Sequence, residues 1–311
     1  MRLRTGTLVA LVTLALLAAA CGTDGGEATT TTTTATTTTI SVPSTTTTTP
    51  TTSTTAETTT STAPKAEGIA VYFLLDELET DAGGPFLVPV FREAQEGSDM
   101  ALAAMEALVE GPADGEIGGI PSISSAIPEG TSIQDVTVEE GLARVDLSDE
   151  FDDGGGSFSM FARLAQVVFT LTRIDQVDQV EFLIEGEPVN VFSAEGIELN
   201  GPQERSDYYD LLPPIFVDAP AWGEPVDSPV AVSGLSNVFE AVSQMMLTDD
   251  DGAPLFEDSV MATCGTGCWG EWQIAIPYEV DRDQFGALIV WEYSAQDGSR
   301  INIREYPVQL R

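Results

Sequence analysis

The sequence lacks histidine altogether and carries few basic residues. Its 311 residues include 12 lysines and arginines against 50 aspartates and glutamates, so the formal net charge at pH 7 is -38. Without histidine, Ser-His-Asp and Cys-His nucleophiles and His-ligated metals are excluded, and the usual general base near neutral pH is missing. The strong negative charge disfavours nucleic acid and anionic lipid headgroups as partners, because both repel a polyanion.

The first twenty residues have the three-part layout of a signal peptide. Two arginines near the N-terminus precede an uncharged apolar run at residues 8–17, and three alanines follow before Cys21. The apolar run is shorter than a transmembrane helix needs. Leu17-Ala-Ala-Ala-Cys21 resembles the lipobox of bacterial lipoproteins, which implies cleavage before Cys21 and a diacylglycerol on its thiol. The alternative is ordinary secretion, with a cysteine at this position by chance.

We expect this lipid to be the only membrane anchor, because no second apolar run of spanning length follows. Residues 21–66 predict a disordered tether, since threonine, serine and proline cannot bury enough apolar surface to offset the entropy of ordering. As a flexible coil, roughly 45 residues span about 35–40 Å. The tether, either O-glycosylated or unmodified, is expected to hold the folded part at the outer face of the cytoplasmic membrane, exposed to the cell wall.

Residues 68–190 combine strand and helix patterns. One helix is predicted to begin with Ser98 as its cap and to end at Gly111 and Pro112, and a second to begin near Ser157. The pattern predicts an α+β domain with two helices packed on one face of a mixed or antiparallel sheet. The predicted strands lie at residues 69–75, 86–91, 136–138, 143–147 and 180–184.

Five segments of this region resemble the GerMN domain, in the order that the family has them. The family occurs in spore germination and sporulation lipoproteins and in other envelope lipoproteins of Gram-positive bacteria. The resemblance implies a compact non-catalytic module used in envelope protein assembly, and it assigns no active-site residues. The segments are Leu87-Val-Pro-Val-Phe-Arg92, Ala107-Leu-Val-Glu-Gly-Pro112, Ala126-Ile-Pro-Glu-Gly-Thr131, Val145-Asp-Leu-Ser-Asp-Glu-Phe151 and Val180-Glu-Phe-Leu-Ile-Glu-Gly186.

Residues 191–213 are predicted to be a connector, because prolines and glycines interrupt them repeatedly. Cleavage near residues 196–203 is expected to leave two stable pieces. Tyr208-Tyr-Asp-Leu-Leu212 is an apolar patch within the connector. It is expected to pack against one of the domains, and the alternative is an exposed patch that binds a partner.

Residues 214–311 predict an all-β immunoglobulin-like sandwich, because short strand patterns recur at the usual spacing over about 100 residues. Several segments resemble the Gmad2 domain, the immunoglobulin-like module associated with spore germination proteins. They are Ser228-Pro-Val-Ala-Val-Ser-Gly234, Val238-Phe-Glu-Ala241, Gly286-Ala-Leu-Ile-Val290 and Ser294-Ala-Gln-Asp-Gly298. The predicted strands are residues 215–217, 230–232, 238–247, 272–276, 287–293 and 301–308.

Cys264 and Cys268 are the remaining cysteines. In an exported chain their close spacing predicts a disulfide, with free thiols as the alternative. A zinc site would need two further ligands, and the sequence offers neither histidine nor another cysteine for them. We therefore predict no metal and no cofactor.

The acidic clusters do not match the ligand pattern of a calcium-binding EF-hand loop. With Gly252 at position six of an EF-hand loop, Leu247 falls at position one, where the loop needs aspartate; around Asp149, Phe151 falls at a ligand position. Paired carboxylates could hydrolyse glycosides, but nothing singles out a pair among 50 acidic residues. No glycine-rich loop followed by lysine suggests phosphate binding.

These observations together predict a non-enzymatic, lipid-anchored envelope protein. Its expected role is binding or scaffolding in envelope assembly, signalling or germination-related processes, with other envelope proteins or cell-wall components as partners. Nucleic acid is not expected as a partner. The alternative is an accessory to, or carrier of, peptidoglycan hydrolase activity.

Overall fold

The computed structural model describes residues 67–76, 84–95, 97–117, 121–193 and 196–311. The signal peptide, Cys21 and the tether predicted from the sequence lie outside the described residues. Among the described helices none is both long and apolar enough to cross a membrane.

Two long strands, β1 (Glu67–Asp76) and β2 (Phe86–Ala94), form an antiparallel hairpin where the sequence predicts strands. Residues 71–75 of β1 are all buried, as expected for a strand covered on both faces. A short strand, β3 (Ser122–Ser124), pairs with the end of β1, so the sheet has the order β2-β1-β3.

Three helices lie between and beside the strands: α1 (Met100–Glu110), α2 (Asp114–Ile117) and α3 (Ser157–Leu171). The predicted cap of α1 is wrong by one residue. A side-chain oxygen of Asp99 accepts the Ala101 and Leu102 N–H groups at 3.0 and 3.2 Å. The hydroxyl of Ser98 donates to a carbonyl in the preceding turn instead.

A second sheet contains β4 (Ile133–Glu139), β5 (Leu142–Leu147), β6 (Gln179–Ile184) and β7 (Glu187–Pro188) in that order. β4 and β5 form the predicted hairpin, and β5 and β6 are parallel because α3 connects them. The strands thus divide into two sheets rather than one. α1 and α3 pack against each other and against β1, while α1 also contacts β4 and α3 contacts β6.

Buried polar side chains of α3 satisfy the main chain of β1. The Gln166 amide donates to the Tyr72 carbonyl at 2.9 Å, and the Thr170 hydroxyl accepts the Tyr72 N–H at 3.1 Å. Because β3 pairs only with the end of β1, these side chains take the place of a neighbouring strand. Such bonding removes the penalty of burying unpaired main-chain groups.

The connector contains two short strands, β8 (Val191–Phe192) and β9 (Ile197–Glu198), and a 3-10 helix over Arg205–Leu211. Tyr208 is 1% exposed, and its ring lies 4.8 Å from that of Phe161 on α3. The expectation that the apolar patch of the connector packs against a domain is confirmed.

The remaining chain forms a sandwich of two sheets. Their orders are β10-β12-β15 and β11-β17-β16-β13-β14. Sequence patterns predict these strands except the short β11 and the polar β14, and β13 begins later than predicted because a 3-10 turn precedes it. The strands are β10 (Ile215–Ala219), β11 (Pro225–Val226), β12 (Val230–Ser236), β13 (Val242–Thr248), β14 (Pro254–Met261), β15 (Gly270–Ile276), β16 (Gln284–Tyr293) and β17 (Arg300–Leu310).

The α+β region and the sandwich share one continuous hydrophobic core. Trp222 extends the edge of β2, since its N–H donates to the Pro89 carbonyl at 2.8 Å and its carbonyl accepts the Phe91 N–H at 2.9 Å. The expectation of two pieces that are stable apart stays a prediction, and this packing argues against it. Separation would expose apolar side chains that each region buries against the other.

A candidate binding groove beside the domain junction

The candidate site lies on the outer face of the β10-β12-β15 sheet, which points away from the five-stranded sheet. Alternation along β15 defines this face, because Trp272 is buried within the sandwich while Glu271 and Gln273 are exposed. The strand register places Phe216, Leu235 and Glu271 in one row across the sheet. Phe216 is 0% and Leu235 9% exposed, so one end of the row is covered and the other is open.

The covered end is sealed by aromatic packing against the α+β region. The ring of Phe216 lies 6.0 Å from that of Phe169 on α3 and 6.4 Å from that of Tyr72 on β1. Tyr72 and Phe169 are themselves 5.4 Å apart. These three rings, which come from β1, α3 and β10, form the centre of the domain junction.

A charged cluster borders these rings. The Arg205 guanidinium donates to both carboxylate oxygens of Asp218 at 3.0 Å, to the Thr172 hydroxyl at 2.7 Å and to the Phe169 carbonyl at 3.1 Å. The Tyr72 hydroxyl also donates to Asp218. The connector thereby bonds to both regions at once, which fixes their contact.

Burial controls the ionisation of this cluster. It raises the pKa of Tyr72 well above its ordinary value, although the nearby Arg205 partly offsets the effect. Burial opposes the charge of Arg205, but Tyr72 and Asp218 outweigh it and the pKa of Arg205 is raised. At neutral pH the cluster therefore holds a neutral phenol beside a charged guanidinium, and each polar group has a partner.

The open end of the row forms one side of a groove of about 580 Å³. Ser233, Gln273 and the carboxylate of Glu271 line it without a side-chain hydrogen-bond or ion-pair partner in the described part of the chain. Their donors and acceptors are available to a ligand. The groove is lined by Arg205, Tyr209, Asp218, Ser233, Gly234, Leu235, Met261, Thr263, Glu271, Trp272 and Gln273.

Apolar surface completes the walls of the groove. The ring of Tyr209 lies 5.6 Å from that of Trp269, and Met261 is 72% exposed. Burial raises the pKa of Tyr209; Arg205 opposes this shift, and the Glu271 carboxylate adds to it. The groove therefore combines aromatic surface with an uncompensated negative charge.

The two cysteines flank the turn that leads from β14 to β15, beside the groove. Their Cα atoms lie 5.9 Å apart, a spacing that a disulfide requires. Next to this turn, Thr263 and Glu271 bond reciprocally, because the Thr263 N–H donates to the Glu271 carbonyl and the Glu271 N–H to the Thr263 hydroxyl, both at 3.0 Å. The pairing of Cys264 with Cys268 stays a prediction for a chemical test.

The acidic clusters have structural partners. A carboxylate oxygen of Asp249 accepts the N–H groups of Asp251 and Ala253 at 3.0 and 2.8 Å, and Asp250 pairs with Arg282 at 2.6 Å. Phe151 is buried in the core at 1% exposure. Within the described ranges, no three acidic or cysteine side chains are grouped so that they could hold a metal ion.

Two family models match the chain. Residues 70–190 match Germane, the family of sporulation and spore germination. Residues 214–299 match Gmad2, the immunoglobulin-like domain of bacterial spore germination. The chain contains a Germane domain followed by a Gmad2 domain. Both resemblances noted in the sequence are thereby confirmed, as is the order of an α+β domain before a sandwich.

Solved structures of the sporulation protein GerM from Bacillus subtilis are similar to the chain. The first GerMN domain of GerM is 22% identical with a TM-score of 0.38, and the match covers 45% of this chain and 99% of that one. The tandem GerMN domains are 17% identical with a TM-score of 0.39, covering 68% and 62%. Among curated proteins there is no match.

No local sequence pattern identifies the groove. Arg205 lies in the connector, Ser233 and Leu235 on β12, and Glu271 on β15, so no local spacing relates them. One signal was present: polar residues alternate with apolar ones along Glu271-Trp-Gln-Ile274. That pattern indicates a solvent-facing side of the strand, but it does not show which surface lies next to it.

Proposed function

We propose that this protein is a lipid-anchored, non-catalytic binding and scaffolding protein of the bacterial cell envelope, acting in a germination-related process. The observation that carries the proposal is the packing of the Germane and Gmad2 domains into one unit that leaves the groove open beside their junction. A fixed junction presents residues of the connector and of both Gmad2 sheets to a partner as one surface.

The chemistry of the groove supports binding rather than catalysis. Its side chains without a partner in the described part of the chain are an alcohol, an amide and a carboxylate, set beside Tyr209 and Met261. Such a mixture of hydrogen-bonding groups and apolar surface is typical of recognition sites. Hydrolysis of amides or esters usually needs an activated nucleophile or a metal-bound water, and the absence of histidine removes the commonest base for both.

The N-terminal pattern supports the anchor and the location. If Cys21 carries a diacylglycerol, a tether of threonine, serine and proline would place the folded unit at a distance from the membrane. The groove would then meet other envelope proteins or wall components.

Fractionation tests the anchor. Wild-type protein is expected in the membrane fraction, and Cys21→Ser is expected in the soluble or secreted fraction. A variant with Cys264→Ser and Cys268→Ser serves as the matched control, because it removes thiols without touching the lipobox. Membrane retention of Cys21→Ser equal to wild type would contradict lipid anchoring.

Cross-linking in intact cells tests the scaffold. We expect wild-type protein to cross-link to specific envelope proteins, Glu271→Arg to lose these products, and Glu305→Arg, an exposed control on β17, to keep them. Purified protein is also incubated with cell wall. Release of muropeptides that disappears on substituting one Asp or Glu would overturn the non-catalytic role.

A further inference from the structure

We propose that the free edge of β15 and the adjoining groove bind an extended, basic polypeptide segment of a partner protein by strand addition. This inference rests on the proposed binding function and names the class of partner. It follows from three features of the Gmad2 domain: an unpaired strand edge, a groove beside it and the charge of that groove.

The direction of the main-chain groups on β15 follows from the hydrogen-bond pattern. The Asn237 N–H donates to the Pro214 carbonyl on the β10 side, so alternate residues of β12 bond to β10 and the others to β15. Trp272 and Ile274 pair with β12 residues that face β15. The main-chain groups of Glu271, Gln273 and Ala275 therefore point away from the sheet.

The first of these three positions is already paired and shows how a neighbour would bind. Thr263 occupies it, since its N–H donates to the Glu271 carbonyl and its hydroxyl accepts the Glu271 N–H. Gln273 and Ala275 are both exposed, and in the described ranges their main-chain groups have no partner on this edge. An incoming strand would continue the pairing that Thr263 begins.

β14, the edge strand of the five-stranded sheet, is by contrast protected against strand addition. On β14, Asp258 pairs with Met245, a buried residue of the inner face, so a carboxylate stands on the core side of the edge strand. Pro254 begins the same strand and lacks an N–H. Inward charges and prolines are devices that prevent strand addition. On β15, the positions of Gln273 and Ala275 have neither a charged side chain nor a proline.

The groove selects the side chains of the incoming strand. Residues paired with Gln273 would point to the same face as Gln273 and Glu271, where the groove offers Tyr209, Met261 and the carboxylate of Glu271. A lysine or arginine would pair with that carboxylate, and its methylenes would lie on the apolar wall. The net charge of -38 attracts a basic partner over distance and repels an acidic one.

The test uses full-length protein in detergent and a labelled eight-residue peptide that alternates valine and lysine, at 150 mM salt or above. Hydrogen exchange locates the site. The amides of Gln273 and Ala275 are expected to exchange freely without peptide and at least about tenfold more slowly with it, because strand pairing protects edge amides.

Peptide controls separate strand pairing from charge attraction. The same peptide with glutamate in place of lysine, and a lysine peptide methylated on alternate amide nitrogens, are both expected to bind at least about tenfold more weakly. Binding of the methylated peptide equal to the parent, or binding without protection of Gln273 and Ala275, would overturn strand addition.

Protein variants test the same site from the other side. Glu271→Gln is expected to weaken binding severalfold, while Glu305→Gln, with the same change of charge on another sheet, leaves it unchanged. Ala275→Pro removes an edge N–H and is expected to abolish binding. If that variant misfolds, the binding of the methylated peptide to wild-type protein tests strand pairing in its place. If these peptides fail while cross-linking to envelope proteins persists, this inference falls and the scaffold function stands.

Discussion

The two ends of one row across the β10-β12-β15 sheet differ in what covers them. At one end, Phe216 is 0% exposed and packs against the Germane domain. At the other end Glu271 is exposed and lines the groove. Leu235 lies between them and is 9% exposed. One sheet face of the Gmad2 domain thus serves as a domain interface and as an open surface.

The covered and the open half of the sheet face also differ in whether their carboxylates are paired. At the junction, Asp218 is paired with Arg205 and Tyr72, so burial does not leave this carboxylate unpaired. In the groove, Glu271 has no ion-pair partner within the described ranges. A carboxylate that keeps its hydration is stable where it is, but it also keeps its capacity to bind a cation. The closed half contributes stability, and the open half is the surface that we propose for recognition.

The largest expected effect is at the covered end of the row. Phe216→Ala should lower the free energy of unfolding by about 4 kcal/mol, because it leaves a cavity between the domains. Leu235→Ala should cost about 2 kcal/mol, and Glu271→Ala less than about 0.5 kcal/mol. Denaturant unfolding measures all three, and calorimetry should show one transition for the unit. Equal costs along the row, or two transitions, would contradict a closed junction beside an open groove.

Arg205→Leu should cost about 3 kcal/mol, because it leaves the Asp218 carboxylate unpaired. Both partners of this ion pair are mostly buried, with side chains 20% and 19% exposed. Adding Asp218→Leu should restore part of the loss, since the unpaired charge is then removed as well. The comparison is made by urea unfolding at neutral pH. A double variant as unstable as Arg205→Leu would show that the guanidinium acts through packing alone.

Loss of the cysteine pair should destabilise the open half by about 2 kcal/mol in the chain-entropy model. Non-reducing peptide mapping should show Cys264 joined to Cys268, and the Cys264→Ser/Cys268→Ser variant should expose Thr263 and the start of β15 to hydrogen exchange. Amides of β1 at the junction should be unaffected. Peptides with free thiols in oxidised protein would contradict the predicted disulfide.

The effect that is smallest near neutral pH is a gradual loss of stability, which develops only at alkaline pH. Burial raises the pKa of Tyr72 and of Tyr208, so their contribution is complete below the pKa of an unfolded tyrosine. It decreases as pH rises above about 10 towards the folded values, by about 1.4 kcal/mol per pH unit for each tyrosine. Unfolding in urea at pH 8, 10 and 11 measures the slope. Tyr72→Phe should reduce it, and an unchanged slope would mean that Tyr72 does not contribute.

Local patterns predicted most of the individual elements. The apolar spacing over Ser157–Leu171 specifies α3, and the alternation on either side of Glu139-Glu-Gly141 specifies the β4-β5 hairpin. β14 was missed because its centre, Glu257-Asp-Ser259, is polar; its place at a solvent-facing edge permits that composition. The cap of α1 was misassigned because Ser98 and Asp99 are both good caps, and only the preceding turn decides between them.

Composition, the Cys21 pattern and the element periods are properties of nearby residues, so the sequence alone determined the expected compartment and the two domain types. The groove and the junction depend on which distant residues become neighbours. Phe216, Leu235 and Glu271 meet only through strand pairing, and Tyr72 reaches Asp218 only after the domains pack. Tertiary structure decided these contacts because their free energy comes from burial and charge pairing between segments, which no local preference encodes.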